Sequence, residues 1–93
     1  MIHWIAISEW TKTTNPFRVV LRVVGDEYVT HKMYHGPTGP PDFVDGGYFP
    51  DGYLAESVKD FNRRCDEAAV AVMSPSEMLR TVKTSGLAVT TWS

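Results

Sequence analysis

A chain of 93 residues with a net charge of −2 and 43% hydrophobic residues suffices for one hydrophobic core and is too short for two domains. That charge excludes both the basic excess of a strong nucleic-acid binder and the large acidic excess of a nucleic-acid mimic. Aromatics at 12% exclude wholesale disorder, and the lone Cys65 excludes an intramolecular disulfide.

The opening Met1-Ile2-His3-Trp4 lacks the charged and apolar regions of a signal peptide, and no apolar run is long enough to span a bilayer. A reducing cytoplasm is the expected compartment. Ile2 to Trp10 reads as a first strand. Its apolar residues fall at both parities, as in a strand covered on both faces or lying centrally in a sheet. Thr11 to Pro16 is a connector with Asn15-Pro16 as its turn signal. Phe17 to Val24 alternates strictly. Phe17, Val19, Leu21 and Val23 form a buried face, and Arg18, Val20, Arg22 and Val24 a wetter one. Gly25-Asp26 fits a type II′ hairpin, with Glu27 to Tyr34 returning as a third strand. A two-residue loop sets Val23 opposite Tyr28 and Phe17 opposite Tyr34; a three-residue loop puts Val29, His31 and Met33 on the Phe17 face instead.

His35 to Gly52 holds five glycines and four prolines interleaved with aromatics. So long a loop in so small a domain is normally functional or disordered, and its aromatics argue against disorder. Phe43-Val44 and Tyr48-Phe49 around Asp45-Gly46-Gly47 have the composition of a short hairpin. From Asp51 to about Val72, the residues Leu54, Val58, Phe61, Cys65, Ala68, Ala69 and Val72 form one helical stripe. Asp51 is the expected N-cap. Asp60 with Arg64 and Arg63 with Glu67 are expected as ion pairs on the solvated side. Residues 69–73 also fit a buried strand; helix is preferred because alanine favours it and the stripe reaches Val72. Ser74-Pro75-Ser76-Glu77 is a capping box opening a short helix, with Met78, Leu79 and Val82 inward and Arg80 and Lys83 outward. Gly86 is its expected stop, and Leu87 to Trp92 reads as a last strand.

The expected fold is α+β, in the order βββααβ. An antiparallel sheet of three to four strands carries one long and one short helix packed on one face of a single domain, residues 1–93. The expected core is Trp4, Phe17, Val19, Leu21, Val23, Leu54, Val58, Phe61, Cys65, Leu79 and Val82.

Chemistry is sparsely signalled. His31 and His35 lie four apart on a strand, a spacing that separates side chains, and His3 with Cys65 completes no zinc pattern. Asp42, Asp45 and Asp51 do not reproduce an EF-hand. No metal site or cofactor is expected. Neither a nucleophile turn nor a phosphate-binding glycine motif occurs, so no catalytic residue is assigned and the chain is expected not to be an enzyme. Two binding readings remain. Interface anchors favour aromatics, and glycine-rich loops on rigid scaffolds carry binding residues, which singles out Phe43, Tyr48, Phe49 and Tyr53 as partner-binding. The same four residues equally suit a cover over one end of the helix–sheet core, and both roles can hold for different residues. The alternative is a nucleic-acid-binding sheet face built on Arg18, Arg22 and Lys32, with Lys12 nearby and Tyr28 and Tyr34 as stacking surfaces.

In layout, a small antiparallel sheet with two helices, the chain resembles small accessory proteins of phages and mobile elements, including anti-CRISPR proteins. The resemblance lies in size and arrangement and assigns no residue. It implies a stoichiometric inhibitor that occludes a host nucleic-acid-processing complex by protein–protein contact. That no membrane partner is expected follows separately, from the lack of a spanning apolar run.

Overall fold

The computed structural model describes residues 2–36 and 39–84. Strands β1 (Ile2–Ile7), β2 (Arg18–Val24), β3 (Glu27–Tyr34) and β4 (Asp42–Phe49) form one antiparallel meander in the spatial order β1-β2-β3-β4. Helices α1 (Leu54–Ala68) and α2 (Pro75–Thr84) follow.

The β2–β3 hairpin takes the two-residue register. Val24 faces Glu27 and Val23 faces Tyr28, while the rings of Phe17 and Tyr34 lie 5.5 Å apart. Gly25 supplies the positive φ of 63° that the first turn position requires. In β1, Trp4 pairs with Arg22 and Ala6 with Leu21, so Ile5 is the extra residue of a bulge. The bulge puts Trp4 and Ile7 in one core and Ile5 and Ala6 against the other. That explains the apolar residues at both parities, in a strand that lies at the sheet's edge.

The antiparallel α+β arrangement agrees with the sequence reading, but the helices lie on opposite faces of the sheet. Phe61 and Cys65 of α1 pack with Val19 and Leu21. Val82 of α2 packs with Trp4, Ile7, Val20 and Met33. Alternate residues of β2 therefore feed two cores. The chain crosses between faces along the outer edge of β1, where Val72 bridges Ser8 and the Met73 N–H donates to the Ile7 carbonyl at 2.9 Å. Residues 70–73 are thus not helical. Helix α1 ends at Ala68, with Ala69 left-handed at φ 55°, its N–H donating to the Asp66 carbonyl and the Val70 N–H to the Cys65 carbonyl.

Nor does Asp51 cap α1. Tyr53 holds that position without a side-chain bond. The capping box of α2 is as read: the Glu77 N–H donates to Ser74 Oγ at 3.3 Å, and the Ser74 N–H to Glu77 Oε1 at 3.2 Å. The predicted final strand and the Gly86 stop lie outside the described residues.

The long segment after β3 is not a loop with its own hairpin. Its second half is β4, paired with β3 from Tyr28↔Phe49 to Tyr34↔Asp42. Between Thr30↔Gly47 and Lys32↔Val44 the ladder gains a residue on β4, where Asp45 adopts φ 59°. The expected hairpin turn is in fact this bulge.

Helix α1 is also rotated relative to its apolar stripe. Leu54 and Val58, expected in the core, are exposed, as is Leu79 of α2, while Ser57 is fully buried. Asp60 and Arg64, expected in solvent, face the sheet with side chains 16% and 12% exposed. Their place is made by β4. A Cβ at Gly47 would fall 2.7 Å from Thr30 Oγ1 and 3.1 Å from Asp60 Oδ2. Fully buried Thr30 donates to Asp60 Oδ2 at 2.6 Å, and Arg64 Nε donates to the same oxygen at 2.8 Å.

Candidate protein-binding surface

The α2 face of the sheet carries a ladder of rings and cations spanning all four strands. Its register places Trp4 of β1 opposite Arg22 of β2. The Arg22 guanidinium carbon lies 5.5 Å from the Trp4 ring centroid and 3.7 Å from that of Phe43 on β4. His31 of β3 meets Phe43 edge-on at 5.6 Å and Tyr48 of β4 nearly perpendicular at 5.8 Å. Each contact has an energetically favourable geometry, cation over ring face or ring edge to ring face. The sequence needs both periods to build it. Strand alternation puts Arg22 and His31 on one face, and the β4 bulge lets Phe43 and Tyr48 share that face although they are five residues apart.

Only the last rung is open to solvent. Arg22 is 8% exposed and His31 7%, whereas Tyr48 is 62% exposed. Burial, followed by the charges of Arg22 and Arg64, holds the His31 imidazole below its ordinary pKa of 6.5. It is therefore neutral at physiological pH. Arg22 Nη2 lies 3.4 Å from His31 Nδ1, and Tyr48 Oη lies 3.5 Å from His31 Nε2. Arg22 Nε and Trp4 Nε1 are buried without an acceptor. Among the described residues, no carboxylate is paired with Arg22. Gly46 completes the setting: a Cβ there would lie 2.8 Å from His31 Nε2 and 2.9 Å from Tyr48 Oη.

The four aromatics singled out from the sequence do not form one cluster. Phe43 and Tyr48 belong to this ladder. Phe49 pairs with Tyr28 toward the α1 face and is half-buried. Tyr53 precedes α1, half-exposed beside the exposed Leu54 and Val58. Tyr48 thus stands on the α2 face of β4, while Tyr53 lies in the connection from β4 to α1, followed by the exposed Leu54 and Val58 one turn apart on the helix.

The basic residues of the nucleic-acid reading are engaged inside the fold. Arg18 and Arg22, read as lying on a wetter face, are each only 8% exposed. Arg18 donates to the Ser8 carbonyl at 3.2 Å and stands 4.6 Å from the Trp10 ring centroid. Lys32 pairs with Asp45 at 3.4 Å. Tyr28 and Tyr34 lie on the opposite face from both arginines. A clue to this burial was present in the sequence: Val20, Val24, Val29 and Met33 share the arginine face in the two-residue register.

Other features have structural explanations. A groove of about 320 Å³ between α1 and the sheet is lined by Lys32, Asp45, Arg63, Arg64 and Glu67, whose charges pair within the groove or with Asp60. Cys65 is buried, and burial, with Asp66 beside it, pushes its thiol up to about 11, away from nucleophilic thiolate. Among the described residues no group of three or more His, Cys, Asp or Glu is placed to hold a metal ion, and no helix is long and apolar enough to cross a membrane. No known family model, curated protein or solved structure matches this chain.

Proposed function

We propose that this chain is a non-enzymatic protein-binding module that engages its partner through Tyr48 and the β4–α1 corner formed by Tyr53, Leu54 and Val58. The observation that carries this reading is the setting of Tyr48. A large aromatic, mostly exposed, is held against His31 by an edge-to-face contact and by a glycine with no room for a side chain. Tyrosines that arrive ordered contribute disproportionately at interfaces, because little rotamer entropy remains to be lost on binding. Direct nucleic-acid binding is less well supported, since its arginines are turned into the ladder and its lysine is ion-paired.

The layout likeness to phage accessory proteins of the anti-CRISPR type extends the proposal. The partner is then a host nucleic-acid-processing complex, occluded stoichiometrically in a reducing cytoplasm where Cys65 remains a thiol. Affinity capture from the native host, read by mass spectrometry, tests this. The wild type is expected to retain a specific protein partner, and Tyr48→Ala to weaken capture by about 30-fold, the loss of a hot spot worth about 2 kcal/mol. Thermal stability should change little, because the side chain is exposed. Undiminished capture by Tyr48→Ala, or a steeply salt-dependent association with DNA or RNA alone, overturns the reading.

A further inference from the structure

We infer that Arg22 and His31 fix the Tyr48 hydroxyl as an outward hydrogen-bond donor, making it a docking point for a carboxylate on the protein partner. This rests on the protein-binding reading and adds the chemistry of the group that is bound.

The direction of the relay follows from which atoms can donate. Arginine has no acceptor, so the contact of 3.4 Å between Arg22 Nη2 and His31 Nδ1 requires Nδ1 to accept. A neutral imidazole accepting at Nδ1 carries its proton on Nε2. That N–H then donates to Tyr48 Oη across 3.5 Å. The phenol accepts from within and has its own hydrogen free to turn outward. The reverse arrangement would aim a Nδ1–H at a guanidinium N–H, donor against donor. Hydrogen bonds in series polarise one another, so the buried cation strengthens the donor at the exposed end.

Charge selects the acceptor. The Arg22 guanidinium is buried, is paired with no acid among the described residues, and has an Nε without an acceptor. An anion at Tyr48 Oη would relieve that uncompensated charge through the imidazole. One cation matches the single charge of a carboxylate. Among the described residues of β2, β3 and β4, the other cations are already engaged: Lys32 pairs with Asp45 and Arg18 is turned toward Ser8 and Trp10, so these strands offer a phosphate backbone no second free cation.

Solution NMR of the isolated ¹⁵N-labelled protein near pH 7.5 tests this with sodium acetate as probe, against sodium chloride at equal ionic strength. The expected ring-nitrogen pattern for His31 is Nε2 protonated and Nδ1 bare. Acetate, and not chloride, should shift His31 and Arg22 Nε–H signals saturably, and Tyr48→Phe should weaken that response about tenfold, the value of one charged hydrogen bond. Tyr48→Phe keeps the ring and its contact with His31, so the fold is retained. A Nδ1–H tautomer, a response equal in Tyr48→Phe, or inorganic phosphate binding more than tenfold tighter than acetate overturns the inference. No partner protein enters this assay, so it fails or succeeds independently of the capture experiment.

Discussion

At the scale of single residues, Gly46 and Gly25 illustrate two reasons for having no side chain, and they separate experimentally. Gly25 needs its positive φ of 63°, but nothing lies within 4 Å of where a Cβ would be. Gly46 has no such φ and lacks room instead, with His31 Nε2 at 2.8 Å and Tyr48 Oη at 2.9 Å. Gly25→Ala should therefore cost about 1–2 kcal/mol of backbone strain and leave the His31 and Tyr48 signals in place. Gly46→Ala should cost about 1–3 kcal/mol by overpacking and should displace both rings. Urea midpoints with ring chemical shifts check this. A Gly46→Ala protein with unmoved His31 and Tyr48 resonances would show that the glycine does not set the ladder's outer end.

Among the secondary-structure elements, α1 shows most clearly what its pattern could and could not reveal. The stripe correctly marks Phe61 and Cys65 as core, because apolar residues at i and i+4 must be buried somewhere. It misplaces Leu54 and Val58. A stripe gives the helix's apolar direction but not its partner, and here Gly47 and Thr30 accept Asp60 and Arg64 against the sheet. The end of α1 was misread for a related reason. Alanine at 68, 69 and 71 favours helix and valine at 70 and 72 suits a strand, and the free edge of β1, a feature distant in sequence, overrides the alanine preference. Ala69 bears the cost, holding φ 55° without being glycine. Ala69→Gly removes about 1–2 kcal/mol of left-handed strain and adds about 0.4–1 kcal/mol of unfolded-chain entropy. The net expectation is a stabilisation of up to about 1.6 kcal/mol, seen as a higher urea midpoint with an unchanged slope. A lower midpoint would mean that the Ala69 methyl contributes packing that outweighs its strain.

For the whole molecule, the sheet separates two polar clusters, each built around one ionisable group whose pKa is depressed. Neither was legible as a cluster, since Thr30, Asp60 and Gly47 on one face, and Arg22, His31 and Tyr48 on the other, meet only once the β4 bulge sets their register. For His31, burial first and then Arg22 and Arg64 disfavour the proton, while Tyr48 Oη faces the other ring nitrogen. For Asp60, burial alone would raise the pKa, but hydrogen bonds from Thr30, Arg63 and Arg64 outweigh it and bring the carboxyl from 3.8 down to about 2. Both groups bind protons more tightly in the unfolded chain, so both contribute stability that is present at high pH and lost on acidification. The windows differ. The His31 contribution is complete above its unfolded value of 6.5 and declines as pH falls from there through the folded value. The Asp60 contribution persists until pH falls below 3.8 and disappears toward 2, and it is on the order of 1–2 kcal/mol. Urea unfolding across pH 2–8 should therefore show two separate descents. His31→Gln should remove the upper one alone, because glutamine does not titrate. Asp60→Asn should remove the lower one alone, at a cost at neutral pH from the unpaired Arg64. If His31→Gln leaves the descent below pH 6.5 intact, the imidazole does not carry it and the ladder is not the molecule's proton-sensitive face.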